Sequence, residues 1–319
     1  MSTINSSNSN NKFFPVFSHL KYEYLVAGVA GGTISTLVLH PLDLIKVRFA
    51  VNDGLSKSTP YYSGSINAFG KIVKSEGYIG LYRGIIPNIL GSGTSWGSYF
   101  LLYNCIKTWI QDGNTGEPLG PWMHMIAAAD AGILTLLVTN PIWVVKTRLC
   151  LQYTEDIDLS ESKRYSGMID ALKKISMTEG IIGLYKGFVP GLFGVSHGAI
   201  QFMTYEEMKI KYNLYRNKST NAKLDTMEYI ACAAISKLIA AAITYPYQVL
   251  RARLQDHHHN YQGTLHCIES IWRYESWRGY YKGLSINLMK VTPATVITFV
   301  IYEHISQYLL GMHKKKMEL

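Results

Sequence analysis

One eight-residue pattern occurs three times and limits the fold more than any other feature. Pro41-Leu42-Asp43-Leu44-Ile45-Lys46-Val47-Arg48 returns as Pro141-Ile142-Trp143-Val144-Val145-Lys146-Thr147-Arg148 and as Pro246-Tyr247-Gln248-Val249-Leu250-Arg251-Ala252-Arg253. The prolines stand 100 and 105 residues apart. A second block follows each time: Glu76-Gly77 then Tyr82-Arg83-Gly84, Glu179-Gly180 then Tyr185-Lys186-Gly187, and Glu275-Ser276 then Tyr281-Lys282-Gly283. Two blocks in one order, three times over, mean three copies of a single unit rather than the two soluble domains that 319 residues would otherwise suggest.

Each unit has an apolar segment leading to its proline (Tyr24 to His40, Met123 to Asn140, Met227 to Tyr245) and another after the second block (Ile85 to Tyr103, Phe188 to Tyr205, Leu284 to Tyr302). About 20 residues at a 1.5 Å rise cross a bilayer, so each segment suffices once the helix beyond the proline is included. The prediction is an all-α membrane protein with six transmembrane helices in three tandem pairs, related by a pseudo-threefold axis. Its units span 21–118, 119–220 and 221–312, after a disordered tail at 1–20 and before a basic tail at 313–319. Small residues such as Gly28, Gly32, Ala128 and Gly132 allow close helix contact, and the prolines bend the helix axes.

Charged residues make up only 17% of the chain, yet mean hydropathy is just +0.04, so the spans must be laced with polar residues, as helices lining a polar cavity are. The net charge of +9 suits an anionic partner. No basic stripe with a recognition helix or aromatic motif accompanies it, which argues against nucleic acid. The cysteines at 105, 150, 232 and 267 form no Cys-x-x-Cys pair, so no zinc site or disulfide framework is expected. His257-His258-His259 has no further metal ligand evident nearby and reads as a solvated loop. The first 20 residues lack a secretory core and an Arg-rich transit pattern.

An even number of spans puts both termini on one side of the membrane. The loops opposite carry Lys57, Lys71, Lys74, Lys163, Lys173, Lys174, Arg273 and Arg278, whereas the Asp112–Pro121 link has no Lys or Arg. The loop side then faces the more negative compartment.

The paired blocks resemble the signature of the mitochondrial carrier family over nearly the whole chain. That resemblance implies a monomeric six-helix barrel of the mitochondrial inner membrane, with termini toward the intermembrane space. It also implies short amphipathic helices in the matrix loops, alternating access to a central site, and cardiolipin at the matrix side. Within the family, several stretches resemble the folate transporter and FAD carrier group: His40-Pro41-Leu42-Asp43 to Arg48-Phe49-Ala50-Val51, Asn140-Pro141-Ile142-Trp143, Lys186-Gly187-Phe188-Val189-Pro190-Gly191-Leu192-Phe193-Gly194, and Tyr245-Pro246-Tyr247-Gln248 with Arg251-Ala252-Arg253.

In that family a ring of acids and bases after the prolines closes the matrix side. Here Asp43 is the one acid, Trp143 and Gln248 occupy the equivalent places, and the bases Lys46, Lys146 and Arg251 are complete, so at most one strong pair can form. Unpaired cations in a low-dielectric pore invite an anion, with Arg251 offering a fork of donors and Trp143 a flat face for a ring. The corresponding cytoplasmic ring resembles Tyr103-Asn104 with Lys107, Tyr205-Glu206 with Lys209, and Tyr302-Glu303 with Ser306, again short of charges. Gly91, Gly194 and Lys290 match at the depth where the family contacts its solute: two gaps and one cationic hook, a roomy site for a bulky anion. Trp96 and His197, further along, either stack on a ring or pack between helices. Asp130 and Lys237, inside apolar segments, are expected to pair with each other across the cavity, the alternative being a role toward the substrate or a proton.

The reading is a carrier of folate or FAD, the latter as solute and with no resident cofactor or metal. The alternative is another bulky anion such as a pyrimidine or nicotinamide nucleotide. An enzyme is not indicated, because no nucleophile with its base, metal cluster or phosphate-cradling loop is evident.

Overall fold

The structure is a computed structural model that describes residues 22–54, 60, 62–111, 120–153, 164–217, 219–220, 222, 224–258 and 261–317. The tail at 1–20, Lys57, Lys163, His259 and most of the Asp112–Pro121 link lie outside the described residues. Among the described residues every regular element is an α-helix: α1 (Tyr22–Val51), α2 (Ser65–Gly80), α3 (Ile85–Ile110), α4 (Pro121–Cys150), α5 (Met168–Leu184), α6 (Phe188–Phe193), α7 (Ser196–Tyr215), α8 (Thr226–Gln255), α9 (Thr264–Gly279) and α10 (Leu284–Met317). Repeats 1 and 3 are each a long helix, a short amphipathic helix and a second long helix, and repeat 2 has the same order with its last span in two pieces.

The first helix of each repeat continues well past its proline. A proline removes one N–H from a ladder that is otherwise complete, and the residues beyond it are apolar positions that the core buries: Leu44 and Ile45, Val144 and Val145, Val249 and Leu250. By length and hydropathy alone, Trp122–Cys150, Met227–Gln255 and Leu284–Leu309 are able to cross a membrane. The short helices α2, α5 and α9 bury residues four apart, Ala68 and Ile72, Ala171 and Ile175, Cys267 and Ile271, against the ends of the long ones.

The second long span of repeat 2, expected as one segment, is divided into α6 and α7 at Gly194–Val195. There the backbone closes three-residue turns, Gly194 N–H to the Gly191 carbonyl at 2.9 Å and Val195 N–H to the Leu192 carbonyl at 3.1 Å, instead of helical four-residue bonds.

Residues 38–292 form one compact unit, and within it the repeats are joined by one contact made three times. Arg48 Nε donates to the Cys150 carbonyl at 3.0 Å, Arg148 Nε to the Gln255 carbonyl at 2.5 Å, and Arg253 Nε to the Ala50 carbonyl at 2.9 Å. Repeat 1 thus reaches repeat 2, repeat 2 reaches repeat 3, and repeat 3 returns to repeat 1. The rest of each guanidinium forks onto the Glu of its own second block: Arg48 on Glu76 at 2.6 and 3.0 Å, Arg148 on Glu179 at 2.6 and 2.9 Å, and Arg253 on Glu275. All three arginines are 1% exposed, so the bidentate carboxylates supply the charge that burial demands. The basic residue of each second block, Arg83, Lys186 or Lys282, pairs with the same Glu.

The last glycine of each second block is required on two counts. Gly84, Gly187 and Gly283 have φ of 81°, 75° and 86°, in the left-handed region. A Cβ would also stand 3.1 Å from the carbonyl oxygen of Lys146, Arg251 or Lys46, in each case on the next repeat's first helix.

The described residues 22–37 and 293–317 form the other unit. Its described parts are the first half of α1 and most of α10, packed closely enough that a Cβ on Gly31 would lie 2.8 Å from the Thr298 carbonyl oxygen. Ser35 Oγ donates to the Ala294 carbonyl at 3.2 Å.

Candidate functional site

The post-proline turns of α1, α4 and α8 converge on a cavity of about 240 Å³. Lys46, Lys146 and Arg251 line it together with Trp143, Tyr245, Tyr247 and Gln248. The helix period puts the motif's third and sixth positions on one face, which is why Trp143 with Lys146 and Gln248 with Arg251 share this wall.

The three bases are held in three ways. Lys46 Nζ donates to Gln248 Oε1 and Asn287 Oδ1, both at 2.8 Å, so an amide accepts where a carboxylate was expected. Lys146 Nζ lies 5.2 Å from the centre of the Trp143 ring, a cation–π contact, and among the described residues it makes no hydrogen bond. Arg251 Nη2 donates to Asn140 Oδ1 at 3.2 Å, while its buried Nε has no acceptor among the described residues. An unmet donor on a buried cation costs about 1–3 kcal/mol or more, which marks the cavity as short of negative charge.

Asp43 makes one ion pair, but not with these bases. Its Oδ1 accepts from Lys290 Nζ on α10 at 2.6 Å, and its Oδ2 accepts from Asn88 Nδ2 at 3.4 Å. The buried carboxylate needs a counter-ion, and Lys290 supplies it. Lys290, expected as an open cationic hook, is therefore engaged.

The gaps expected at Gly91 and Gly194 are also filled, because each glycine makes room for an aromatic ring from the next repeat. A Cβ on Gly91 would stand 3.4 Å from Trp143 Cζ2 and 3.1 Å from Ile142 Cγ2; one on Gly194 would stand 3.0 Å from Tyr247 Cε2. The three matched positions thus make three junctions in rotation: Gly91 under Trp143, Gly194 under Tyr247, Lys290 on Asp43. Two are aromatic and one is ionic.

The residues before the prolines lock each repeat. His40 Nε2 lies 2.9 Å from the Arg83 carbonyl oxygen, Asn140 Nδ2 donates to the Leu184 carbonyl at 2.9 Å, and Tyr245 Oη donates to the Lys282 carbonyl at 3.0 Å. Polarity at one register position in all three repeats was the available signal.

Toward the other end, His197 Nδ1 lies 2.9 Å from Thr244 Oγ1 on α8, so this side chain joins two helices. Trp96 is 65% exposed and stacks on Phe100 of its own helix with centres 5.7 Å apart. Lys209 pairs with Glu206 at 3.6 Å along α7 itself, not across helices, and Lys107 forms no ion pair among the described residues. Glu303, in the other unit, accepts from Gln307 Nε2 at 3.3 Å. The expected pair of Asp130 and Lys237 does not form among the described residues, and Asp130 is exposed.

The family model for "Mitochondrial carrier protein" matches three successive stretches, residues 19–114, 117–216 and 222–313. The chain belongs to the mitochondrial carrier family. Its repeats and its all-α fold are those of the family, whose members are transporters of small anionic solutes. Among curated relatives this carrier is 42% identical to folate transporter 1, chloroplastic, of Arabidopsis thaliana over 91% of its own length and 96% of the relative's. It is 37% identical to nicotinamide adenine dinucleotide transporter 1, chloroplastic, of the same plant over 89% and 91%. It is 32% identical to the mitochondrial FAD carrier protein of Saccharomyces cerevisiae over 89% and 96%.

Proposed function

We propose that this carrier moves a large, flat organic anion of the folate or FAD type between the two sides of the mitochondrial inner membrane by alternating access, its termini facing the intermembrane space. The observation behind this reading is the cationic cavity. Among the described residues, Lys46, Lys146 and Arg251 surround it with no carboxylate in the lining, and Trp143, Tyr245 and Tyr247 offer ring faces. A carboxylate or pyrophosphate answers the open Nε of Arg251 and the unbonded Nζ of Lys146, and a pterin or isoalloxazine ring answers the aromatic wall. The relatives named for folate and FAD agree with that chemistry. FAD in this reading is cargo, and the chain itself needs no cofactor.

The second reading is a nicotinamide dinucleotide, favoured by the same cations and by the relatives named for that solute. Reconstitution of the purified chain into protein-free liposomes separates the two. Labelled folate, FAD and NAD are offered in parallel, and each uptake is competed with the other two. Saturable uptake of folate or FAD supports the first reading, uptake of NAD alone replaces it with the second, and uptake of none removes both.

A further inference from the structure

His257 and His258, expected in a solvated loop without a further metal ligand, have one beside them in the structure. Asp256, the residue that ends α8, has a fully buried carboxylate. Its Oδ1 lies 2.9 Å from His258 Nδ1 and 3.8 Å from His257 Nδ1. The histidines are not solvated: their side chains are 6% and 14% exposed, and their rings lie 3.9 Å apart, centre to centre. Tyr153 covers His258 with ring centres 5.4 Å apart, and Tyr165 meets His257 edge-on at 6.2 Å.

We infer that Asp256, His257 and His258 form a binding site for a borderline divalent transition metal, of which zinc is the type, at the junction of repeats 2 and 3. One carboxylate oxygen and two imidazole nitrogens within 4.8 Å of one another are the donor set such ions take. Ligand atoms about 2.0–2.2 Å from a tetrahedral ion stand some 3.3–3.6 Å apart, so the Asp256–His258 separation of 2.9 Å would open and the Asp256–His257 separation of 3.8 Å would close on binding. A fourth position is left for water. Two nitrogen donors disfavour magnesium and calcium, which take oxygen. The nearby arginines do not oppose a cation with full charge, because Glu179 and Glu275 neutralise Arg148 and Arg253.

The place gives the site a consequence. Asp256 follows Gln255, whose carbonyl takes Arg148 Nε and whose Oε1 accepts from Thr147 Oγ1 at 2.7 Å. Tyr153 and Tyr165 belong to repeat 2, whereas Asp256 and the histidines belong to repeat 3. A metal here rigidifies the turn that ends α8, whose histidine rings pack against Tyr153 and Tyr165 of repeat 2.

The test uses the full-length protein in detergent, without a polyhistidine tag, and with cobalt and zinc salts as probes. One equivalent of cobalt should give the visible absorption of a four-coordinate ion, displaced by zinc, and zinc at about 100 times its Kd should raise the melting temperature by several degrees. His257→Ala and His258→Ala should each weaken binding at least about tenfold, comparable to or beyond the loss from a supporting contact. Magnesium should do neither. The variants are first checked to melt in the metal-free buffer as the parent does; if one of them does not, Asp256→Asn, which removes the anionic donor at nearly the same shape, replaces it and should weaken binding likewise. Absent saturable binding, or binding that survives both histidine substitutions, overturns the assignment and leaves the cluster a hydrogen-bonded turn packed against the tyrosines of repeat 2.

Discussion

Gly194→Ala tests the aromatic junctions most sharply. The glycine has an ordinary right-handed backbone, φ −64°, so alanine introduces no conformational strain and its effect is steric. The new Cβ would lie 3.0 Å from Tyr247 Cε2 and Cζ, and 2.9 Å from the Gly191 carbonyl oxygen. The Gly191 oxygen belongs to the turn that breaks α6 from α7 and cannot yield cheaply, so the Tyr247 ring must leave its seat. Overpacking of this kind costs about 1–3 kcal/mol. Because 1.4 kcal/mol is a factor of ten, the conformer with Tyr247 seated falls roughly 5- to 150-fold relative to conformers without that contact. Melting in detergent and initial uptake rates in liposomes read this out together. Tyr247→Ala alone should destabilise by about 3 kcal/mol through the space it leaves. The decisive variant is Gly194→Ala with Tyr247→Ala, which should lose less than the sum of the two single losses, since the clash with the ring is gone and only that with the Gly191 carbonyl remains. Additive losses in the double variant would refute the reasoning.

Three further outcomes follow from the same packing. Ser276 sits at φ 57°, ψ −161°, a region essentially reserved for glycine, where repeats 1 and 2 have Gly77 and Gly180 at φ 72° and 70°; Ser276→Gly should therefore stabilise the chain by about 1 kcal/mol, seen as a higher melting temperature. Burial pushes the Glu179 carboxyl up, but hydrogen bonds from Arg148 and Lys186 outweigh it and hold it at about 2, below its ordinary 4.5. Its contribution is thus present above about pH 4.5 and lost as pH falls toward 2; Glu179→Gln should flatten that part of the melting profile and, by stranding a buried Arg148, lower the melting point at neutral pH. Lys290→Gln should cost about 3–5 kcal/mol because Asp43 loses its counter-ion, and adding Asp43→Asn should recover most of it, measured by melting of the single and double variants.

The repeat architecture was legible because its signals are local and triplicated: proline, arginine and glycine recur at fixed register, and each has one physical use. The buried Arg–Glu forks were half visible, since Glu76, Glu179 and Glu275 stood in the quoted block, but nothing linear said that their partners were Arg48, Arg148 and Arg253. Lys290 was misread for a related reason. A cation opposite two glycines looks unopposed along the chain, and only packing brings it to Asp43. The glycines misled by the same route, because a missing side chain reads as empty space until a neighbouring ring is found in it. Asp256 was passed over because a carboxylate next to a histidine run is unremarkable until helix termination and burial turn it inward.

The central claim is that the cavity's cations hold the solute's negative charge. It is tested most directly by the KM of liposome uptake for Lys146→Gln and Arg251→Gln, using whichever of folate, FAD or NAD the parent transports. A lost hydrogen bond to a charged group is worth about 1.5–3 kcal/mol, so each substitution should raise KM roughly 10- to 150-fold, and more for Arg251, whose Nε stands open. KM values unchanged in both variants would place the solute elsewhere and contradict the account.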